Sequence, residues 1–389
     1  MRTAAPRVPG HAVFFPAAAA YAAAVLPASV LAMLGHAPFL AALASPAAHA
    51  HEMLFGFTLA VIAGNQLGPT PRARLALLFG CWLAARAGFI AWPHAIGTAA
   101  LQGAFALLLA REVVPRLFTR AKKLRNRAQP LVIAGICACS VVLSAAFTVG
   151  APAVQHRTAF VSVLLLALLM LFMGGRIIAP AAAGARYRQG GDMGPRVQPR
   201  LEGALIVLML GAIVAAVLTA LAATADVAAG LLLLAAGGVA AVRAMRWRLW
   251  LVHGRPDLVC LGIGYAWLVA GLSTLGAALM AGAHAVEAVH AITVGALGTL
   301  TINVMALTQA RLARRDPARE TLPLVATALV TTAAFARIAA GFLPGAAHSL
   351  LAIAACAWSA AYLVLLAFLL RTRRVVPPLK PGTQSEFEC

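Results

Sequence analysis

Apolar stretches recur along this chain from one end to the other, separated by short polar pieces, and each is about long enough to cross a bilayer as a helix (roughly 17 to 25 residues). No other feature restricts the fold as much. Of the 389 residues, 62% are hydrophobic and 11% charged; a soluble domain of that size would have to expose apolar surface it cannot hide. The expected class is therefore an all-α integral membrane protein.

Twelve spans can be drawn. They are Ala12–Leu34, Glu52–Leu67, Arg74–Trp92, Ala95–Ala110, Leu131–Gly150, Thr158–Ile178, Gly203–Ala223, Val227–Val242, Leu258–Ala283, Val286–Leu307, Leu322–Leu343 and Ala347–Leu370. Charge checks the count, because Lys and Arg in short loops stay on the cytoplasmic side. With the amino terminus inside, alternate segments hold 28 of the 31 basic residues. The outer connections hold only Arg157, while Arg86 and Arg337 lie within spans. Both termini are thus expected in the cytoplasm. The net charge of +20 reads as topology and not as nucleic-acid binding. For the basic run Arg111–Arg127, retention of a cytoplasmic loop is weighed above an anionic-lipid site.

The pattern divides into a first six-helix half over 1–178, a cytoplasmic linker over 179–202 with Gly190, Gly191 and Pro195, a second half over 203–374 and a disordered cytoplasmic tail over 375–389. No repeat relates the halves. The cysteines form no disulfide framework: Cys81, Cys137, Cys139, Cys260 and Cys356 read as small buried residues within spans, and Cys389 as a terminal thiol.

On this topology eight of the ten histidines, namely His36, His49, His51, His94, His156, His284, His290 and His348, fall in outer loops or outer helix ends. Imidazole is the commonest protein ligand for haem iron and copper and carries protons near neutral pH. Glu52 and Glu287 stand at the outer starts of the second and tenth spans, where no other carboxylate enters a span, and Arg86 and Arg337 lie at similar depth. Ionisable groups there are costly unless paired or lining a cavity. Arg86 and Arg337 could tie to Glu52 or Glu287 between helices as readily as serve a ligand. His284, Glu287 and His290 share one helix face. His49 and His51 would diverge by about 200° on a regular helix and could act together only if the chain before Glu52 were not helical. Gly295 and Gly298 leave room for a close helix neighbour, the preferred reading, or for a flat macrocycle.

Four blocks resemble the NnrS family: HAHEMLFGFTLAVIAG (49–64), FMGGRIIAP (172–180), GYAWL (264–268) and VHAITVGALGTLTINVM (289–305). The resemblance implies a bacterial twelve-span inner-membrane protein that contains haem and copper and serves nitric-oxide metabolism or nitrosative stress. Carried over residue by residue, it marks His49, His51, Glu52 and His290 for metal or haem ligation, and Arg176 as a matched arginine without a known purpose. Glu287, Arg86 and Arg337 join the candidate set from their depth. The chain departs from the family at GNQLGPTP, which lacks a Trp, and at Gly262, where many members carry His. The expected partners are membrane lipid and nitric oxide or a related diatomic gas; no catalytic nucleophile, phosphate loop or redox module is visible. The alternative is a proton- or ion-coupled transporter using Glu52, Glu287 and His290, and a third possibility is an assembly scaffold.

Overall fold

The computed structural model describes residues 7–193, 198–219 and 224–373; the tail expected over 375–389 lies outside them. Helices account for almost all of it, as an apolar chain without water to bond its backbone requires. In order they are α1 (His11–Met33), α2 (Pro46–His51), α3 (Thr58–Gln66), α4 (Arg72–Ala91), α5 (Ile96–Arg120), α6 (Leu124–Thr148), α7 (Pro152–Met173) and α8 (Ala179–Arg188). The second part of the chain adds α9 (Pro199–Leu218), α10 (Thr224–Trp247), α11 (Pro256–Met280), α12 (Val286–His290), α13 (Thr299–Leu312), α14 (Leu322–Phe342) and α15 (Ala347–Arg373). Three short π-helical segments join helices end to end: π1 (Glu52–Phe57) between α2 and α3, π2 (Gly174–Ile178) between α7 and α8, and π3 (Ala291–Gly298) between α12 and α13. The linker expected to begin at 179 starts instead as helix, since α8 prolongs α7 through π2.

Among the described residues, eleven helices are long and apolar enough to cross a membrane. The expected second span is not among the eleven. It is helical throughout from Pro46 to Gln66 and almost wholly buried, so it needs no lipid-compatible face and tolerates His49, His51, Glu52, Asn65 and Gln66. Helices also run past the apolar windows. Glu112 therefore sits in the last third of α5, and Glu202, Asp226 and Asp257 in the first turns of α9, α10 and α11, which corrects the expectation that only Glu52 and Glu287 enter spans. Glu112 is matched there by Arg74 and Arg116.

The helices form two layers. The three that carry π segments are innermost: 83% of the apolar window of Val286–Leu312 and 67% of that of Pro152–Arg188 are buried, against 28% for Pro199–Leu218. These inner helices meet one another, α7 touching π1 and π3, and α3 touching α13. Around them the outer helices pack in sequence from α4 to α6, on through α9, α10 and α11, and from α14 to α15. The first helix closes on the last: Trp358 Nε1 donates to Ala22 O at 3.1 Å and Ser359 Oγ to Ala23 O at 2.6 Å. A two-stranded antiparallel pairing of Arg7–Pro9 with Pro69–Pro71 fixes the chain start beside the end of α3.

Of the cysteines expected to be buried, Cys137 and Cys260 are; Cys81 and Cys139 are half-buried, and Cys356 is exposed, which corrects that reading. An exposed thiol on a helix of this kind faces the apolar surroundings of the bundle at no polar cost. Cys389 lies outside the described residues.

Candidate functional site

The local sequence decides how the histidines are aimed. Ser45 caps α2, its Oγ accepting from Ala48 N at 3.1 Å, and Pro46 follows at the first helical position, where its missing N–H costs nothing. The helix therefore starts several residues before the apolar window. His49 and His51 both lie on regular helix and point to different neighbours, so the condition under which they could act together is not met.

His51 enters a sealed network. The side chains of His51, Glu52 and Arg86 are 1%, 0% and 2% exposed. Glu52 Oε1 accepts from Arg86 and lies 2.7 Å from His51 Nδ1, and Glu52 Oε2 accepts from the Tyr21 hydroxyl. Arg86 also donates to Gln102 Oε1; Gln102 Nε2 donates to Ser140 Oγ at 2.6 Å. Ser144 Oγ donates to Ser140 O at 2.9 Å and meets His51 Nε2 at 3.0 Å, which closes the ring. Five helical segments contribute, α1, α2 with π1, α4, α5 and α6. Phe89 stacks on the His51 ring at 4.2 Å. Both nitrogens of His51 are thus engaged, and the Arg86 to Glu52 pairing anticipated from their depth is present.

His49 and His290 are arranged differently. Ser29 Oγ gives its hydrogen to Leu26 O at 2.8 Å, so at 2.8 Å from His49 Nδ1 it accepts the ring N–H. His290 Nδ1 donates to Val286 O at 2.7 Å. Each ring is therefore held as the tautomer whose Nε2 carries the lone pair, and neither Nε2 has a hydrogen-bond partner among the described residues. Arg337 lies near enough to both imidazoles for its charge to act on them, and His49 and His290 are near enough to influence each other. Glu287 is the acid that reaches Arg337, its side chain lying across Gly341 one turn further along α14. All four of these side chains are half-buried, in contrast to the closed network around Glu52.

The structure therefore sorts the predicted residues into two groups. Glu52, His51 and Arg86 belong to one, His49, His290, Arg337 and Glu287 to the other. Tyr21, Gln102, Ser140, Ser144 and Ser29 were not singled out from the sequence, although each is a polar residue in an apolar stretch, the signal that would have found it. The macrocycle reading of Gly295 and Gly298 is overturned: a Cβ on Gly295 would lie 2.5 Å from the Trp267 ring and one on Gly298 2.7 Å from that of Trp358, so helix neighbours take that space.

The π segments coincide with the blocks noted in the sequence: π1 lies within 49–64, π2 within 172–180 and π3 within 289–305. GYAWL, on α11, links two of them, because Tyr265 packs against Gly174 of π2 and Trp267 against Gly295 of π3. A π turn adds one residue to the helical repeat, re-aims the side chains around it, is rare overall and is frequently found at functional sites. At the junction of π1 with α3 the Thr58 hydroxyl donates to Met53 O, five residues back, at 2.9 Å.

Among the described residues no three His, Cys, Asp or Glu side chains converge so as to hold a metal ion. The donor set fits a group that needs one or two imidazoles from the protein and brings its other ligands, as haem iron does. It falls short of a copper ion held by three side chains.

Helices of this number and length, an inner layer buried by an outer one and a polar cluster at one end of the bundle define a multi-pass membrane protein. The chain belongs to the NnrS family: the family model, described as NnrS protein, matches residues 8–373, nearly the whole sequence. No curated protein matches it.

Proposed function

We propose that this is a haem-binding protein of the bacterial inner membrane that acts on or responds to nitric oxide, with His49 and His290 as the imidazole donors. The observation that carries the proposal is the pinned tautomer of both rings: a hydrogen bond at Nδ1 orients an imidazole and raises the basicity of the Nε2 left to bind metal. The bundle end bearing them faces the periplasm in the twelve-span arrangement with both termini inside, which the distribution of Lys and Arg supports. That arrangement counts Pro46–Gln66 as the twelfth crossing.

Haem iron bound there would supply a metal for a neutral diatomic gas that partitions into lipid. Ser29 and Val286 O hold the rings, while Arg337, whose charge Glu287 balances only from a distance, provides a cation near them suited to a carboxylate of the cofactor. Half-burial of all four side chains leaves them reachable. Copper, the second cofactor the family resemblance implies, is given no site of its own, because the described residues offer no third side-chain donor beside the two imidazoles proposed for haem. His51 is assigned a supporting part: its engaged nitrogens brace the helix that presents His49.

A transporter using Glu52 as its coupling carboxylate is less well served by this geometry, because a group clamped by Arg86, Tyr21 and His51 resists loading and unloading a proton. The deciding experiment is the absorbance spectrum and the iron and copper content of purified protein expressed with haem supplied. A Soret band that is lost in His49→Ala and His290→Ala and kept in His51→Ala is expected. Colourless, well-folded wild-type protein without either metal would overturn the proposal in favour of transport.

A further inference from the structure

At the other end of α7 the fold holds a second polar site. From Pro152 to Arg176 the helix and π2 rise about 36 Å, the thickness of a bilayer. There π2 and helices α6, α7, α9 and α10 enclose a cavity of about 540 Å³. Leu168, Leu171, Leu205 and other apolar side chains form its wall, and its charged edge is Arg125, Arg176 and Arg243 against one carboxylate, Glu202.

The charges do not balance. Glu202 accepts from Arg125 at 3.1 Å and from Arg243 at 3.0 Å. Arg176 donates to Gln129, a neutral partner, and among the described residues the acid whose charge acts on it is the same Glu202. Three cations share one anion, an excess of two positive charges at the cavity; Arg243 is buried, Arg125 half-buried and Arg176 exposed, so the cost of lacking a counter-ion falls on the inner wall. Arg243 is 2% exposed, and its Nε has no hydrogen-bond partner among the described residues. The Trp247 Nε1 and Tyr265 hydroxyl, packed against Arg243 behind Gly174, are likewise buried without one. Arg243, which lines the cavity, can only donate through that Nε, so this wall lacks an acceptor for it.

We propose that this cavity binds the phosphate of an anionic membrane lipid, with Arg125, Arg176 and Arg243 around the head group. Its volume lies in the range of pockets that take a whole organic molecule and exceeds the need of a bare oxyanion. Helix α9, whose Ile206 borders the cavity, turns Val207, Leu210 and Val214 outward, an apolar track for an acyl chain. Basic pockets between membrane helices take anionic head groups for the same reason. The site is independent of the metal proposal and lies on the π segment that the histidines do not use.

The test is native mass spectrometry of the full-length protein released from micelles containing phosphatidylglycerol and phosphatidylcholine in equal amounts, with thermal unfolding read in parallel. One phosphatidylglycerol is expected to be retained, and Arg176→Gln or Arg125→Gln is expected to lower its retention about ten-fold, the loss of one charge-assisted contact. Arg74→Gln, which removes an exposed pair with Glu112, serves as the control and keeps the lipid. Equal retention in the pocket variants and the control overturns the proposal. So does equal stabilisation by inorganic phosphate alone, which would make the ligand a solution anion. Should one pocket variant fail to fold, the other is read against the same control.

Discussion

Arg86→Met tests whether the closed network around Glu52 is a single structural unit. The substitution leaves the carboxylate of Glu52, which is fully buried, without the one permanent cation paired with it among the described residues. Breaking a buried pair from one side costs about 3–5 kcal/mol; Tyr21 and His51 still donate to Glu52, which selects the lower end of that range. Gln102 Oε1 loses its donor as well, adding about 1 kcal/mol. A total of about 3–4 kcal/mol corresponds to a shift of roughly 150- to 900-fold in the unfolding equilibrium. Glu52→Gln combined with Arg86→Met removes both charges, so it should recover at least about half of that loss and give a coupling energy of at least about 2 kcal/mol in the double-mutant cycle, the more so because Glu52→Gln alone leaves Arg86 unpaired. Reversible unfolding in mixed detergent micelles, followed by far-ultraviolet circular dichroism, provides the measurement. A cost below about 1 kcal/mol for Arg86→Met, or strict additivity of the two substitutions, would refute the reasoning.

Three other outcomes are expected. Ser29→Ala frees the His49 ring from its pinned tautomer and should weaken haem retention by about 10- to 100-fold without unfolding the protein, read by haem transfer to an apo-acceptor. His51→Ala should keep the Soret band while lowering the unfolding midpoint, because it opens the sealed ring and leaves a void against Phe89. Gly276→Ala should destabilise by about 1–3 kcal/mol in the same micelle assay, since its methyl would meet backbone atoms of α10, Gly230 O and Leu234 N, both at 2.6 Å. Gly238→Ala meets nothing within 4 Å and should be neutral or stabilising by up to about 1 kcal/mol, which makes it the matched control.

The family and the all-helical membrane class could be read from the chain alone, because lipid allows so few backbone solutions that long apolar runs already name one. The pairing of Arg86 with Glu52 was similarly open to inspection, since isolated charges at that depth have to find each other. What the sequence could not decide was which polar residues share a site. His49 and His51 are two positions apart, yet the early start of α2 at Ser45 sends them to separate clusters, one accessible and one sealed. The π turns at Glu52, Gly174 and Ala291 show in the sequence only as glycines within apolar helices. Their effect, like the three-arginine pocket built from α6, α7, α9 and α10, depends on contacts between segments far apart in the chain. Apolar periodicity specifies that a segment is a membrane helix; the rotation of each helix about its axis, and therefore the company each imidazole keeps, is settled only when the inner layer packs.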